Sequence, residues 1–174
     1  LDAIELPAGG YPGDPWELAG IHSSKKKVDE LAGKIEDRGL SVQGIAVHGN
    51  PVHPDKKIAN EHQKAHRNAV QLAAAFKTVV INFSGCPGGC KDDKTPNFVT
   101  CPWPDEFTAA HEYLWNEVII PFWKKENDFA KKHKVKIAFE AHPGMVLHTP
   151  EDIVRLRKAA GKQLGANLAP SHFF

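Results

Sequence analysis

Short apolar runs and longer amphipathic runs take turns along this chain, and their alternation predicts a series of parallel βα units. Ala3 to Leu6 reads as a short strand, followed by a Gly/Pro-rich loop from Pro7 to Pro15. Ser24 can cap a helix from Lys25 to Arg38, in which Val28, Leu31 and Ile35 form one apolar stripe and Gly39 marks the stop. Val42 to His48 is a second strand, running into the turn from Gly49 to Pro54. A helix from Asp55 to about Phe76 follows, with Ile58, Ala65, Ala69, Leu72 and Ala73 spaced for one face. Thr78 to Phe83 is a third strand, apolar and β-branched enough to be covered on both sides.

The stretch from Ser84 to Pro104, rich in Gly, Pro, Cys and Asp, breaks this rhythm. Loops longer than about 12–15 residues are uncommon in compact domains and often serve as lids or binding loops. A helix from Asp105 to about His133 comes next, and Pro121 is expected to kink it or divide it in two. Val135 to Phe139 is the fourth strand. Thr149 or Pro150 opens a helix through Ala160, and Gly165 to Leu168 is the fifth strand. No repeat, linker or low-complexity tract interrupts the series, so residues 1–174 read as one domain.

Composition narrows the function. A chain of 174 residues with 41% hydrophobic content can bury a real core. The formal charge of +1, from 22 basic and 21 acidic residues, provides no broad field for nucleic acid or an anionic membrane, and neither is expected as a partner. No apolar run approaches the roughly 20 residues that span a bilayer. No secretory leader is visible at Leu1, so a cytoplasmic location is expected. Cys86, Cys90 and Cys101 fall in one loop; their odd number and spacing suit reduced thiols better than a disulfide framework or a zinc site. Leu1 enters directly as a strand and Phe174 stops just after one, so the sequence is expected to be cut at both ends.

The candidate chemistry gathers at strand ends. Glu140 and His142 are two apart and would project to the same face as Ala138. A small residue deep in a strand and a carboxylate at its C-terminal end suit the inside of a parallel barrel, where the mouth does the chemistry. Glu5, His48, Asn82, Glu140 and position 169 all fall at or near such ends. Glu140, flanked by Phe139 and Ala141, needs a partner, because an unpaired buried charge is expensive. A Lys or Arg would serve; a divalent cation is favoured because His142 and His172 come from adjacent strand ends.

His48 and His53 bring two imidazoles to one turn, as proton carriers, substrate donors or metal ligands. The competing reading is a turn shaped by Asn50-Pro51 and His53-Pro54, which for His53 is the better one. His62, His66, His111 and His133 are expected on solvated helix faces, and Lys25, Lys26 and Lys27 at a solvated helix start. Trp103, Trp115 and Trp123 are expected to pack the long helix and the loop before it. Gly85 to Gly89 lacks the Gly-Lys-Ser/Thr ending of a phosphate cradle.

Taken together, five runs resemble the xylose-isomerase-like TIM barrels of sugar phosphate isomerases and epimerases. They are Leu1–Leu6 with Gly9–Gly13, Val47–Pro54, Asn82–Gly88, Phe139–Gly144 and Asn167–Phe173. The superfamily also holds ketose 3-epimerases, inosose-processing enzymes and apurinic endonucleases. The resemblance implies an α/β (β/α)8 TIM barrel, here truncated to about five βα units, without its first strand and last two strands. An open sheet of that kind exposes two unpaired edges, which a longer molecule or association, including with another copy, would cover.

The resemblance also implies roles. Glu140 would be a ligand to a divalent metal (Mn2+, Mg2+, Co2+ or Zn2+) and an acid/base group, and His172 would contact substrate or metal. The family expects a second ligand, Asp, where this chain has Ala169, whose methyl group cannot coordinate a cation. Further His and Glu ligands would lie beyond Phe174. The activity implied is a metal-dependent isomerase or epimerase of a sugar or sugar phosphate, acting by proton abstraction next to a carbonyl through an enediolate. Glu140 and His172 are then the catalytic candidates, and Glu5, His48, Asn50, Asn82 and His142 the substrate-binding ones. A same-fold lyase acting on 3-keto-glycosides is one alternative; a catalytically inactive binding protein, argued from Ala169, is another. A DNA-repair nuclease fits the near-zero charge poorly.

Overall fold

A computed structural model describes residues 1–11, 13–83, 85–97 and 103–173. Five strands, β1 (Ala3–Gly10), β2 (Ser41–His48), β3 (Val79–Phe83), β4 (Ile137–Glu140) and β5 (Leu164–Asn167), pair in parallel in chain order. Between them run α1 (Lys25–Glu36), α2 (Lys56–Phe76), α3 (Asp105–Tyr113), α4 (Ile120–Lys132) and α5 (Pro150–Ala160). Each strand lies beside its predecessor after a helical crossover, which is the progression of a parallel barrel. β1 and β5 are the two edges of the sheet.

Strand parity divides the side chains into two layers. On β4, Ile137 and Phe139 are fully buried, whereas Ala138 and Glu140 between and after them are half-buried. The buried set packs against helices through Leu6, Ile45, Val80, Phe139 and Leu164 on one side and Leu72, Trp115, Trp123 and Leu156 on the other. At roughly 1.5–3 kcal/mol per buried side chain of this kind, that layer is the chief source of stability. The alternate positions are left to the concave face.

Helix ends follow the sequence signals. Ser24 accepts from the Lys27 amide at the start of α1, and Asp55 accepts from the Lys57 amide at the start of α2. Thr149 and Asp152 form a reciprocal capping box ahead of α5, with Pro150 in its first turn. The long helix is divided as Pro121 requires. A π-helical segment, Leu114–Ile119, separates α3 from α4, and Pro121 lies in the first turn of α4. The proline has no N–H to donate and its ring crowds the preceding turn, so the helix widens there. Leu114, Trp115 and Ile119 within the wide turn are all buried.

Three expectations are corrected. Trp103 packs nothing extensive: it is 76% exposed. His66 is 1% exposed rather than solvated, because it shares the α2 stripe of Ala59, Ala69 and Ala73. His62 is half-buried and hydrogen-bonded within the fold, its Nδ1 accepting from the Asn50 amide at 2.7 Å. Cys86 and Cys90 are free thiols, and burial pushes Cys86 up to about 12, so it stays protonated and inert. Cys101 lies outside the described residues. Among the described residues no helix is long and apolar enough to cross a membrane.

Candidate active site

Glu140 ends β4, in register with Phe83 of β3 and Asn167 of β5. Just after β5 the chain turns through a 3-10 segment, Pro170–Phe173, in which the His172 amide donates to the Ala169 carbonyl at 3.1 Å. That turn folds the imidazole back toward β4, and His172 Nε2 lies 2.7 Å from Glu140 Oε1. The two side chains are 29% and 27% exposed, so the pair is shielded yet reachable by a ligand. His142 leans on His172, with ring centroids 4.5 Å apart and planes tilted by 42°.

A residue within β1 and one at the tip of β2 feel the same carboxylate. Burial raises the Glu5 carboxyl above its ordinary range, and the Glu140 charge adds to the rise. Burial lowers the His48 imidazole, with Glu140 opposing that effect. A cavity of about 350 Å³ reaches toward the N-terminal strand ends, lined by Glu5, Gln43, Lys136, Ala138 and Gly165 among others; His48, Glu140, His142 and His172 do not line it. With its proton on Nε2, His172 donates to Glu140 and fixes the orientation of the carboxylate. Such a charge-assisted pair can hold and pass a proton.

The other candidates are placed elsewhere. Asn82 is in register with Phe139, so it shares the outward face; it is 2% exposed, with Nδ2 3.4 Å from His66 Nδ1. Asn50, also 2% exposed, donates from Nδ2 to the Pro87 carbonyl at 2.8 Å and accepts at Oδ1 from the Val52 amide at 3.2 Å. It fastens the loop after β2 to the loop after β3. His53 accepts from the Asp55 amide at 2.9 Å, as the turn reading requires. Thus His48, Glu140, His142 and His172 gather at the tips of β2, β4 and β5, while Asn50 and Asn82 belong to the framework; Glu5, expected at a strand end, lies inside β1 in register with Gly44, because β1 runs on to Gly10. Ala169 contributes only its backbone.

A second polar cluster, with no counterpart among the sequence candidates, lies among the helices. Glu126 of α4 is 2% exposed and takes Arg67 Nη2 at 2.7 Å, with His66 Nε2 3.9 Å from its other oxygen. The signal available was the spacing of His66 within the alanine stripe of α2.

A parallel βα sheet in chain order, with ionisable side chains at its C-terminal strand tips, is the architecture of a TIM-barrel segment. The chain belongs to the xylose isomerase-like TIM barrel family, matched over residues 1–174. It is 33% identical over 177 residues to the uncharacterized protein YfiH of Bacillus subtilis (strain 168), covering 99% of this chain and 56% of that protein. The fold is like that of a D-tagatose 3-epimerase-like protein, with TM-score 0.58, 18% identity, and 95% and 55% of the two chains covered. It is likewise similar to the IolI protein solved with a bound zinc atom, with TM-score 0.60, 18% identity, and 99% and 54% covered. The chain thus spans about half the length of these relatives.

Glu140, His142 and His172 are donors of the right chemistry for a divalent cation. By themselves they do not make a site: among the described residues no group of three or more His, Cys, Asp or Glu could hold a metal ion, and position 169 carries a methyl group.

Proposed function

We propose that the full-length protein is an isomerase or epimerase acting on a sugar or sugar phosphate. The observation supporting this reading is the 2.7 Å contact between His172 and Glu140 at the strand tips of a xylose isomerase-like barrel. Glu140 removes the proton from the carbon next to the substrate carbonyl. His172 holds that carboxylate in place and stabilises whichever partner carries the proton. The resulting enediolate recovers a proton at a different carbon or on the opposite face. His48, held toward its neutral form by burial, and His142 orient the oxygens of the substrate. Glu5 keeps its proton to higher pH than an ordinary glutamate and is the candidate donor to an oxygen that gains charge.

A divalent cation would stabilise the developing oxyanion, if the full-length protein completes its ligands. Glu140 with His172 or His142 are the donors this chain offers. Among the described residues these donors are too few to hold a cation alone. Substituting Ala169→Asp in the full-length protein should tighten Mn2+ binding by about tenfold or more, read by calorimetric titration. An unchanged isotherm would remove that position from any metal site.

The reaction itself is tested by incubating the full-length protein with D-ketohexoses and their 6-phosphates in D2O. Deuterium should enter at the carbon next to the carbonyl, seen by proton NMR. Absence of both exchange and epimeric product across the set would sink the proposal. Ala169 favours a second reading, a non-catalytic sugar-binding protein. Binding that persists in chelator without any exchange would support it. Release of an aglycone from a 3-keto-glycoside would instead point to the lyase chemistry.

A further inference from the structure

His48 ends β2, and the residues that follow it are gripped by α2. The Asn50 amide donates to His62 Nδ1 at 2.7 Å. One residue further along both segments, Gln63 Nε2 donates to the Pro51 carbonyl at 2.8 Å. The His62 ring also closes on Gly49. A Cβ there would sit 2.9 Å from the ring's Cγ, nearer than real Cβ atoms come, so glycine permits the approach. From just beyond β1, the Tyr11 amide donates to the His48 carbonyl oxygen at 2.5 Å. The main chain from His48 to Pro51 is thus held at every residue.

A backbone amide can only donate, so His62 Nδ1 offers its lone pair and the ring proton sits on Nε2. Packing against a glycine would not require an imidazole; accepting from Asn50 does. Asn50 is buried, and its side chain is already committed to the Pro87 carbonyl and the Val52 amide. Without His62 its main-chain amide would stay unpaired unless the turn shifted, and a buried unpaired amide is costly. That turn begins at His48, which is near enough to Glu140 to feel its charge.

We propose that His62 is a positioning residue for His48: acting through the Asn50 amide, it fixes the turn that sets where the His48 imidazole meets the substrate's oxygens. This rests on the isomerase or epimerase reading, in which His48 orients the substrate, and names the group that aims it. Misplacing an orienting group costs rate, because the reacting atoms lose their alignment. The role belongs to the acceptor nitrogen rather than to the ring, and the two can be separated. Asn carries an amide oxygen at the same step along the side chain as Nδ1, whereas Phe carries a ring without an acceptor.

The test uses the full-length protein and deuterium exchange into the D-ketohexoses and their 6-phosphates, with His62→Phe and His62→Asn as variants. For the best probe, His62→Phe should lower kcat/KM about tenfold, and His62→Asn should stay within about threefold of wild type. A packing role predicts the reverse order, because Phe keeps a ring against Gly49 and Asn does not. An Asn variant as impaired as the Phe variant, or more so, therefore overturns the inference. Were the phenyl ring to prevent folding, His62→Leu removes the same acceptor and carries the same expectation. In a His48→Ala background, His62→Phe should change kcat/KM by less than about twofold. A full tenfold loss there also overturns the inference, by showing that His62 does not act through His48. An unchanged kcat/KM in His62→Phe overturns it and leaves the proposed reaction standing. A wild-type protein that exchanges deuterium into none of the probes overturns both the inference and the reading beneath it.

Discussion

Two groups of polar side chains, one at the strand tips and one among the helices, use the same chemistry to opposite ends. Each contains a glutamate and imidazole nitrogen at close range. At the tips, His172 reaches Glu140 at 2.7 Å and both remain over a quarter exposed. Among the helices, His66 lies 3.9 Å from Glu126 and both side chains are 2% exposed. Arg67, half exposed, closes the second group from outside. Strand parity decides which group a strand residue joins: Glu140 turns to the concave face, whereas Asn82, in register with Phe139, turns toward His66. Moving one residue changes the layer. A polar residue near a strand end is therefore a candidate for chemistry only if its parity points it inward.

The widest separation between the two groups should come from Trp123→Ala. Trp123 is 1% exposed and packs edge-on against both His66 and Phe139. Its removal should cost about 3–5 kcal/mol in urea unfolding, since it opens a cavity in the layer that holds the sheet. A loss under about 1 kcal/mol would show that the helix-layer group stands without it.

The converse variant is Glu140→Gln. Proton exchange into substrate should fall about a hundredfold, equivalent to about 2.7 kcal/mol in the barrier, while the unfolding midpoint barely moves. An active Glu140→Gln protein would erase the functional distinction between the two groups.

A smaller effect separates them by pH. Burial lowers His66 to about 4, against the ordinary 6.5, with Glu126 opposing and Arg67 assisting the shift. The folded protein therefore refuses a proton that the unfolded chain accepts. Stability should fall as pH drops from about 6.5 toward 4, with this group contributing a slope of up to about 1.4 kcal/mol per pH unit. His66→Gln should flatten that part of the profile in acid urea titrations. Parallel profiles for variant and wild type would refute the buried, neutral imidazole.

Much of the architecture was legible because periodicity and caps report it directly. Ser24, Asp55 and Thr149 all start helices, and Pro121 divides one. Glu140 and His172 were legible as neighbours, since their strands follow one another in the chain and in the sheet. Nearness to a strand end does not place Asn82, because its parity turns it into the helix layer. The role of Asn50 is hidden in the sequence, which does not display which backbone groups a loop must satisfy. Glu126 and Arg67 went unseen for a related reason: their pairing joins α2 to α4 across 59 residues of chain. No local pattern encodes such a contact.

One consequence follows from how the imidazole of His172 is held. Its turn is closed by the main-chain oxygen of residue 169, not by that residue's side chain. Selection can therefore exchange the side chain at 169 without disturbing the neighbouring histidine. The identity of residue 169 and the contact between His172 and Glu140 are thus independent variables: either can change while the other stays.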